Sequence, residues 1–302
     1  MALNERLEMT LVKRRIAKTV TLPAAEPGFM GDGHTAVEVL TPTQLVQNDP
    51  FILLMDDRLD LTPEVRQLGG AHPHAGLETV TLFLEGSAVD PDEGDTVPGD
   101  AQWMTAGRGV IHGENLLAGG RMRVLQLWVR LPKASRGVPA RVQLIKRADV
   151  PTRHEPGATA RVYSGASGDA QSQTLNYAPV TMVDFQLEPG ATVEQQLPAS
   201  DNGFLYVIAG STRLGPERTW VAEGQVAWLD RPPTSGDSVL RLEGGERGGR
   251  VVLYAGQPQN DPLIHHGPFV AGSQNDLIQV FNDYRAGQFT RLSTLLKNRH
   301  VA

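Results

Sequence analysis

Two short segments carry side chains whose types and spacing could hold a metal ion. One pairs His72 with His74, the other His112 with Glu114. In a β-strand, residues i and i+2 point to the same face, so each pair can aim both side chains one way. If the two strands lie side by side with those faces together, three imidazoles and a carboxylate converge on one point. Nitrogen and oxygen donors without sulfur suit Fe, Mn, Ni, Cu or Zn better than Ca or Mg. Three imidazoles and one carboxylate leave one or two positions open on a five- or six-coordinate ion. An open position distinguishes a catalytic metal from a structural one. A single His-x-His among glycines is commonly an ordinary surface or core feature. Two such pairs in series, joined by a hairpin-length connection, point to metal binding. Glu78 is a rival carboxylate: in a continuous strand it shares parity with His72 and His74. It could replace Glu114 as a ligand or support the ligands from behind. His265 and His266 are adjacent, so an extended backbone sends them to opposite sides.

The elements that must position these groups read mostly as strands. Thr79 to Leu84 is β-branched, aromatic or apolar until Glu85–Gly86 ends it. Ser87 to Asp100 is acidic and rich in Gly and Pro, an exposed loop. Ala101 to Asn115 reads as strand, glycine turn and strand, and Arg121 to Pro132 as a further strand. Val80, Leu82, Trp103, Met104, Gln126 and Trp128 lie near the histidines in sequence and are candidates for a pocket wall, with strand parity deciding which face it. For most of them ordinary core packing is the competing reading. Lys133 to Pro151 reads as a connector with a short strand. Beyond it Gly203 to Gly210 and Glu223 to Leu229 repeat, in order, features of the first half, without histidines. Gly244 to Gly249 reads as a flexible turn. Ser273 and Asp276 resemble a capping box. Asn275 to Arg285 is expected to be an amphipathic helix, with a second at Phe289 to Lys297.

Composition narrows the classes. The 302 residues include 28 basic and 34 acidic side chains, a formal charge of −6, which argues against direct nucleic-acid binding. With no cysteine, the chain has no disulfide, iron–sulfur ligand or thiol nucleophile. No apolar run suggests a membrane span or signal peptide, so a cytoplasmic protein is expected. The 32 glycines and 21 prolines favour turns and strands over helix. There is no G-x-S-x-G, Walker A or dinucleotide fingerprint.

Three stretches, HPHAGLETVTLFLEG, PGDAQWMTAGRGVIHGEN and HGPFVAGSQNDLIQVFNDYRAGQF, resemble the signature segments of the pirin family of the cupin superfamily. The likeness runs from about Asp49 to Phe289. It implies an all-β bicupin: two antiparallel β-barrel domains with short C-terminal helices. Residues 1–135 would form the metal-binding domain, and residues 150–302 a metal-free domain with a helical tail. It implies one divalent metal, usually Fe(II), with Ni, Cu, Mn or Zn as alternatives, held by His72, His74, His112 and Glu114. Glu114 would also serve catalysis, and Glu78 would lie nearby, unligated. Two activities follow from the resemblance. One is quercetinase-type dioxygenation of a small flavonol-like aromatic substrate with dioxygen. The other is an iron-dependent regulator that binds a transcription factor or metabolic enzyme.

Overall fold

A computed structural model describes residues 11–28, 30–61, 70–88, 94–113 and 120–297. The first half contributes β1 (His34–Leu40), β2 (Phe51–Leu61), β3 (His72–His74), β4 (Leu77–Glu85), β5 (Ala101–Thr105), β6 (Val110–His112), β7 (Gly120–Arg130) and β8 (Arg141–Ile145). Six of these form an antiparallel sheet in the order β8-β5-β4-β7-β2-β1, which Glu26–Pro27 extends at one edge. β3 and β6 stand apart in a small sheet of their own.

The second half supplies β9 (Ala158–Ser164), β10 (Val180–Leu187), β11 (Thr192–Pro198), β12 (Asn202–Leu214), β13 (Gln225–Leu229) and β14 (Asp237–Gly256). The path β9-β10-β14-β12-β13 is its spine, and β11 pairs with the first part of β14. In both large sheets the hydrogen-bonded order is an open path. Among the described residues neither closes into a barrel, so the observed class is mostly β, with antiparallel sheets.

The glycine run 244–249 is not a turn. It lies inside the 20-residue strand β14, where the glycines permit close backbone approach. A Cβ at Gly244 would sit 2.1 Å from the Glu188 carbonyl oxygen, and Gly248 has φ of +75°. The bend lets one strand pair first with β11 and then with β10.

Alternation decides what each face buries. On β4 and β7 one face presents Val80, Leu82, Leu84, Leu125, Leu127 and Val129. These pack in one continuous core with Met182, Phe204, Tyr206, Val252 and Tyr254 of the second half. Phe51 meets Phe204 edge-on at 5.4 Å, and Phe204 stacks on Tyr254 at 5.0 Å. The two halves therefore share a core, while a second cluster lies wholly within the C-terminal half.

The chain ends cross over. Ile16–Thr21 pairs with β13, and Val12–Lys13 with β14, both in the second half's sheet. In return the C-terminal segment supplies β15 (Phe269–Ala271), helix α1 (Gln274–Arg285), β16 (Thr290–Arg291) and helix α2 (Leu292–Lys297). β16 pairs in parallel with β6, which puts the tail on the first half. Ser273 caps α1, its hydroxyl accepting from the Asp276 amide. No helix among the described residues is long and apolar enough to cross a membrane.

Candidate metal centre

β3 and β6 run antiparallel, with His72 directly opposite His112 and His74 opposite Val110. All three imidazoles fall on one side, and a donor nitrogen from each lies within 4.8 Å of the others. Ring centroids are 4.9 Å apart for His72 and His74, 4.3 Å for His72 and His112, and 5.0 Å for His74 and His112. Two nitrogens each about 2.1 Å from one ion are at most about 4.2 Å apart, so a small inward rotation of the rings brings the set onto a single ion.

The electrostatics favour a neutral His74 ring. His74 is 1 % exposed. Burial first, then the neighbouring His112 and His72, push its pKa well below the ordinary value. Neither of its ring nitrogens has a hydrogen-bond partner. Two orphaned, buried, neutral nitrogens are costly in a native fold, and coordination removes that cost at one of them. His72 is set differently: its Nδ1 lies 3.0 Å from the Gly70 carbonyl oxygen. In the tautomer that donates there, Nε2 is the ligand atom. Trp128 stands edge-on to His74, with centroids 5.2 Å apart at 89°, and limits the ring's rotation. The residues present thus fit a metal ion. Glu114 lies outside the described residues.

Residues 33–129 match the family described as Pirin, and residues 182–290 match the Pirin C-terminal cupin domain. Human pirin is 34 % identical over 251 residues, covering 80 % of this chain and 83 % of that protein. This chain belongs to the pirin family. As a pirin it is a bicupin of the cupin superfamily. Among solved structures, a quercetin 2,3-dioxygenase from Acinetobacter baumannii superposes with a TM-score of 0.80 at 28 % identity, covering 91 % of this chain and 98 % of that one. A bacterial pirin from Escherichia coli, in complex with nickel(II), shares the fold at 15 % identity and a TM-score of 0.59, over 80 % of this chain and 100 % of that one.

The other sequence candidates divide between two faces of this pirin's first sheet. Glu78 is fully buried, and its Oε1 accepts from the Thr105 hydroxyl at 2.7 Å and from the Tyr177 amide at 3.4 Å. It faces the second half, not the histidines. Burial raises its pKa, partly offset by the Thr105 hydroxyl. Trp103, Val80 and Leu82 share that face, within the core between the halves. Met104 and Trp128 pack on the opposite face. Gln126, of the same parity as Trp128, donates from Nε2 to the Thr81 hydroxyl at 3.3 Å.

The parity argument for Glu78 assumed an unbroken strand, and Gly76 interrupts it. Gly76 has φ of +77°, and a Cβ there would lie 2.0 Å from the Val270 carbonyl oxygen. The kink resets the alternation between β3 and β4. The partner in this close contact is the C-terminal segment, which sequence periodicity did not connect with the site. Val270 donates its amide to the Ala75 carbonyl at 2.9 Å, and Thr290 donates to the Gly109 carbonyl at 3.3 Å. The tail thus braces both ligand strands.

Proposed function

We propose that this pirin is a mononuclear metal protein, with Fe(II) as the first choice of ion, that cleaves a flavonol-like aromatic substrate with dioxygen. The observation that carries the reading is the triad: three imidazoles converge while His74 keeps both nitrogens buried and unpartnered. Similarity to the Acinetobacter baumannii quercetin 2,3-dioxygenase supports the reaction class. The nickel(II) in the Escherichia coli pirin makes nickel the alternative ion.

In this reading His72, His74 and His112 hold the ion, and Glu114, two residues beyond His112, is the fourth ligand. The metal site is assigned to the N-terminal domain, expected at residues 1–135, and residues 150–302 to a metal-free domain, with residues 12–21 and the tail 269–297 exchanged between them. A bound redox-active ion supplies the electron chemistry between substrate and dioxygen. The chain's own residues do the rest. His74 and Trp128 lock each other's orientation, and the Gly70 carbonyl fixes the His72 tautomer. Glu114 takes the proton from an acidic substrate hydroxyl as that hydroxyl approaches. Met104, Gln126 and Trp128, on the sheet face away from the second half, form the apolar wall with one amide for a flat ring.

Loading the protein anaerobically with Fe(II), adding quercetin and following oxygen uptake tests the reading. Uptake is expected from the wild type, with a fall of about 100-fold or more in His74→Ala. A protein that binds stoichiometric metal yet consumes no oxygen would end the dioxygenase reading and leave the metal site standing.

A further inference from the structure

A second concave site lies behind the metal strands, where the tail packs on the first half. Its walls combine glycines 76, 107 and 272 and the apolar Val270, Ala271 and Val280 with Arg108, Lys133, Arg136 and Asp276, around a cavity of about 240 Å³. Three cations from two stretches of chain converge on it. Arg108 sits in the turn that feeds β6, and Lys133 and Arg136 come from the connector after β7. Arg108 and Lys133 have no ion-pair partner among the described residues. The Arg136 guanidinium is anchored from behind, donating from Nε to the Leu131 carbonyl and from Nη2 to Asp261 at 2.9 Å. That leaves Nη1 directed past Gly272, where a Cβ would approach it to 2.7 Å. Glycine at 272 therefore keeps the guanidinium edge open to the cavity. Asp276 is engaged at its own helix start, where it accepts from the Ser273 hydroxyl at 2.8 Å.

We propose that this cleft binds a small dianionic oxyanion of the phosphate type, free or as a phosphate monoester. The wall carries three positive charges against one negative in a chain whose net charge is −6, so the concentration of cations is local. An arginine fork held from behind together with two further exposed cations matches oxygens that diverge tetrahedrally better than the planar pair of a carboxylate. The inference stands independently of the proposed reaction.

Isothermal titration of inorganic phosphate into the full chain, at an ionic strength of about 0.15 M, reads the site directly. Saturable one-to-one binding is expected, weakened about tenfold or more by the Arg108→Ala/Lys133→Ala double variant. Arg247→Ala, a surface change elsewhere, should leave it unchanged, and circular dichroism should show all variants folded. A phosphate monoester such as glycerol phosphate binding more tightly than free phosphate would assign the monoester, and the reverse would assign the free ion. Unsaturable binding, equal affinity in the double variant, or acetate binding as tightly as phosphate would overturn the proposal.

Discussion

At the scale of single residues, His74 is a base that the fold keeps unprotonated. His74 makes this measurable. Its folded-state pKa lies well below its ordinary value because burial penalises the charged ring. The unfolded chain, with a histidine pKa of about 6.5, therefore takes up a proton that the folded chain refuses. Stability falls as pH drops through that value and goes on falling until the folded-state pKa is reached. Thermal melting of the metal-free protein from pH 8 to pH 5 should show this decline, and His74→Leu should flatten it. An equally steep decline in the variant would place the proton uptake elsewhere. Metal acts in the opposite sense. An ion that binds only the folded chain at 100 times its dissociation constant adds about 2.7 kcal/mol. Stripping with a chelator should lower the melting temperature of the wild type and leave that of His74→Leu nearly unmoved.

At the scale of elements, the two ligand strands are too short to hold themselves. β3 and β6 are three residues each, and their small sheet is completed by β16 from the far end of the chain. Phe289 secures that pairing. It is 7 % exposed, packs with Phe269 and Tyr284, and lies over Gly109, where a Cβ would come within 2.3 Å of the phenyl ring. Phe289→Ala is expected to cost about 3 kcal/mol and to weaken metal binding by titration calorimetry. Unchanged metal affinity in a folded Phe289→Ala would show that the tail does not position His112. Little of this bracing was legible in the sequence. The pairs His72–His74 and His112–Glu114 stood out because two-residue spacing is the signature of a strand face, and α1 because its cap and stripe are local. A two-residue parallel pairing across 180 positions leaves no period to read. The kink at Gly76 was equally hidden, since only a neighbouring carbonyl makes that glycine necessary, and it turned Glu78 away from the histidines. Gly244 to Gly249 misled for the related reason that glycine marks close approach as readily as it marks a turn.

At the scale of the whole molecule, the halves are tied by their exchanged ends and by a buried ionic lock. Arg123 of β7 donates from Nε and Nη2 to both oxygens of Asp56 on β2, each at 2.8 Å. The Tyr206 hydroxyl, from β12 in the other half, donates to Asp56 at 2.7 Å, and Arg123 also reaches the Ile208 carbonyl at 3.3 Å. Asp56 is fully buried, and these donors, with the Arg58 guanidinium at 3.7 Å, compensate its charge. Removing one partner costs far more than the pair contributes, because desolvation of the survivor is no longer offset. Arg123→Met should therefore destabilise by about 3–5 kcal/mol, and Tyr206→Phe, which leaves the arginine in place, by about 1.5–3 kcal/mol. Asp56→Asn combined with Arg123→Met removes both charges and should cost less than the sum of the single changes. Urea unfolding measures all five proteins: the wild type, the single variants Arg123→Met, Tyr206→Phe and Asp56→Asn, and the double variant. Because Val80, Leu127, Phe204 and Tyr254 belong to one core, each should unfold in a single transition. Two resolved transitions in the wild type would mean that the halves fold independently, and a strictly additive double variant would mean that Asp56 and Arg123 do not act as a pair.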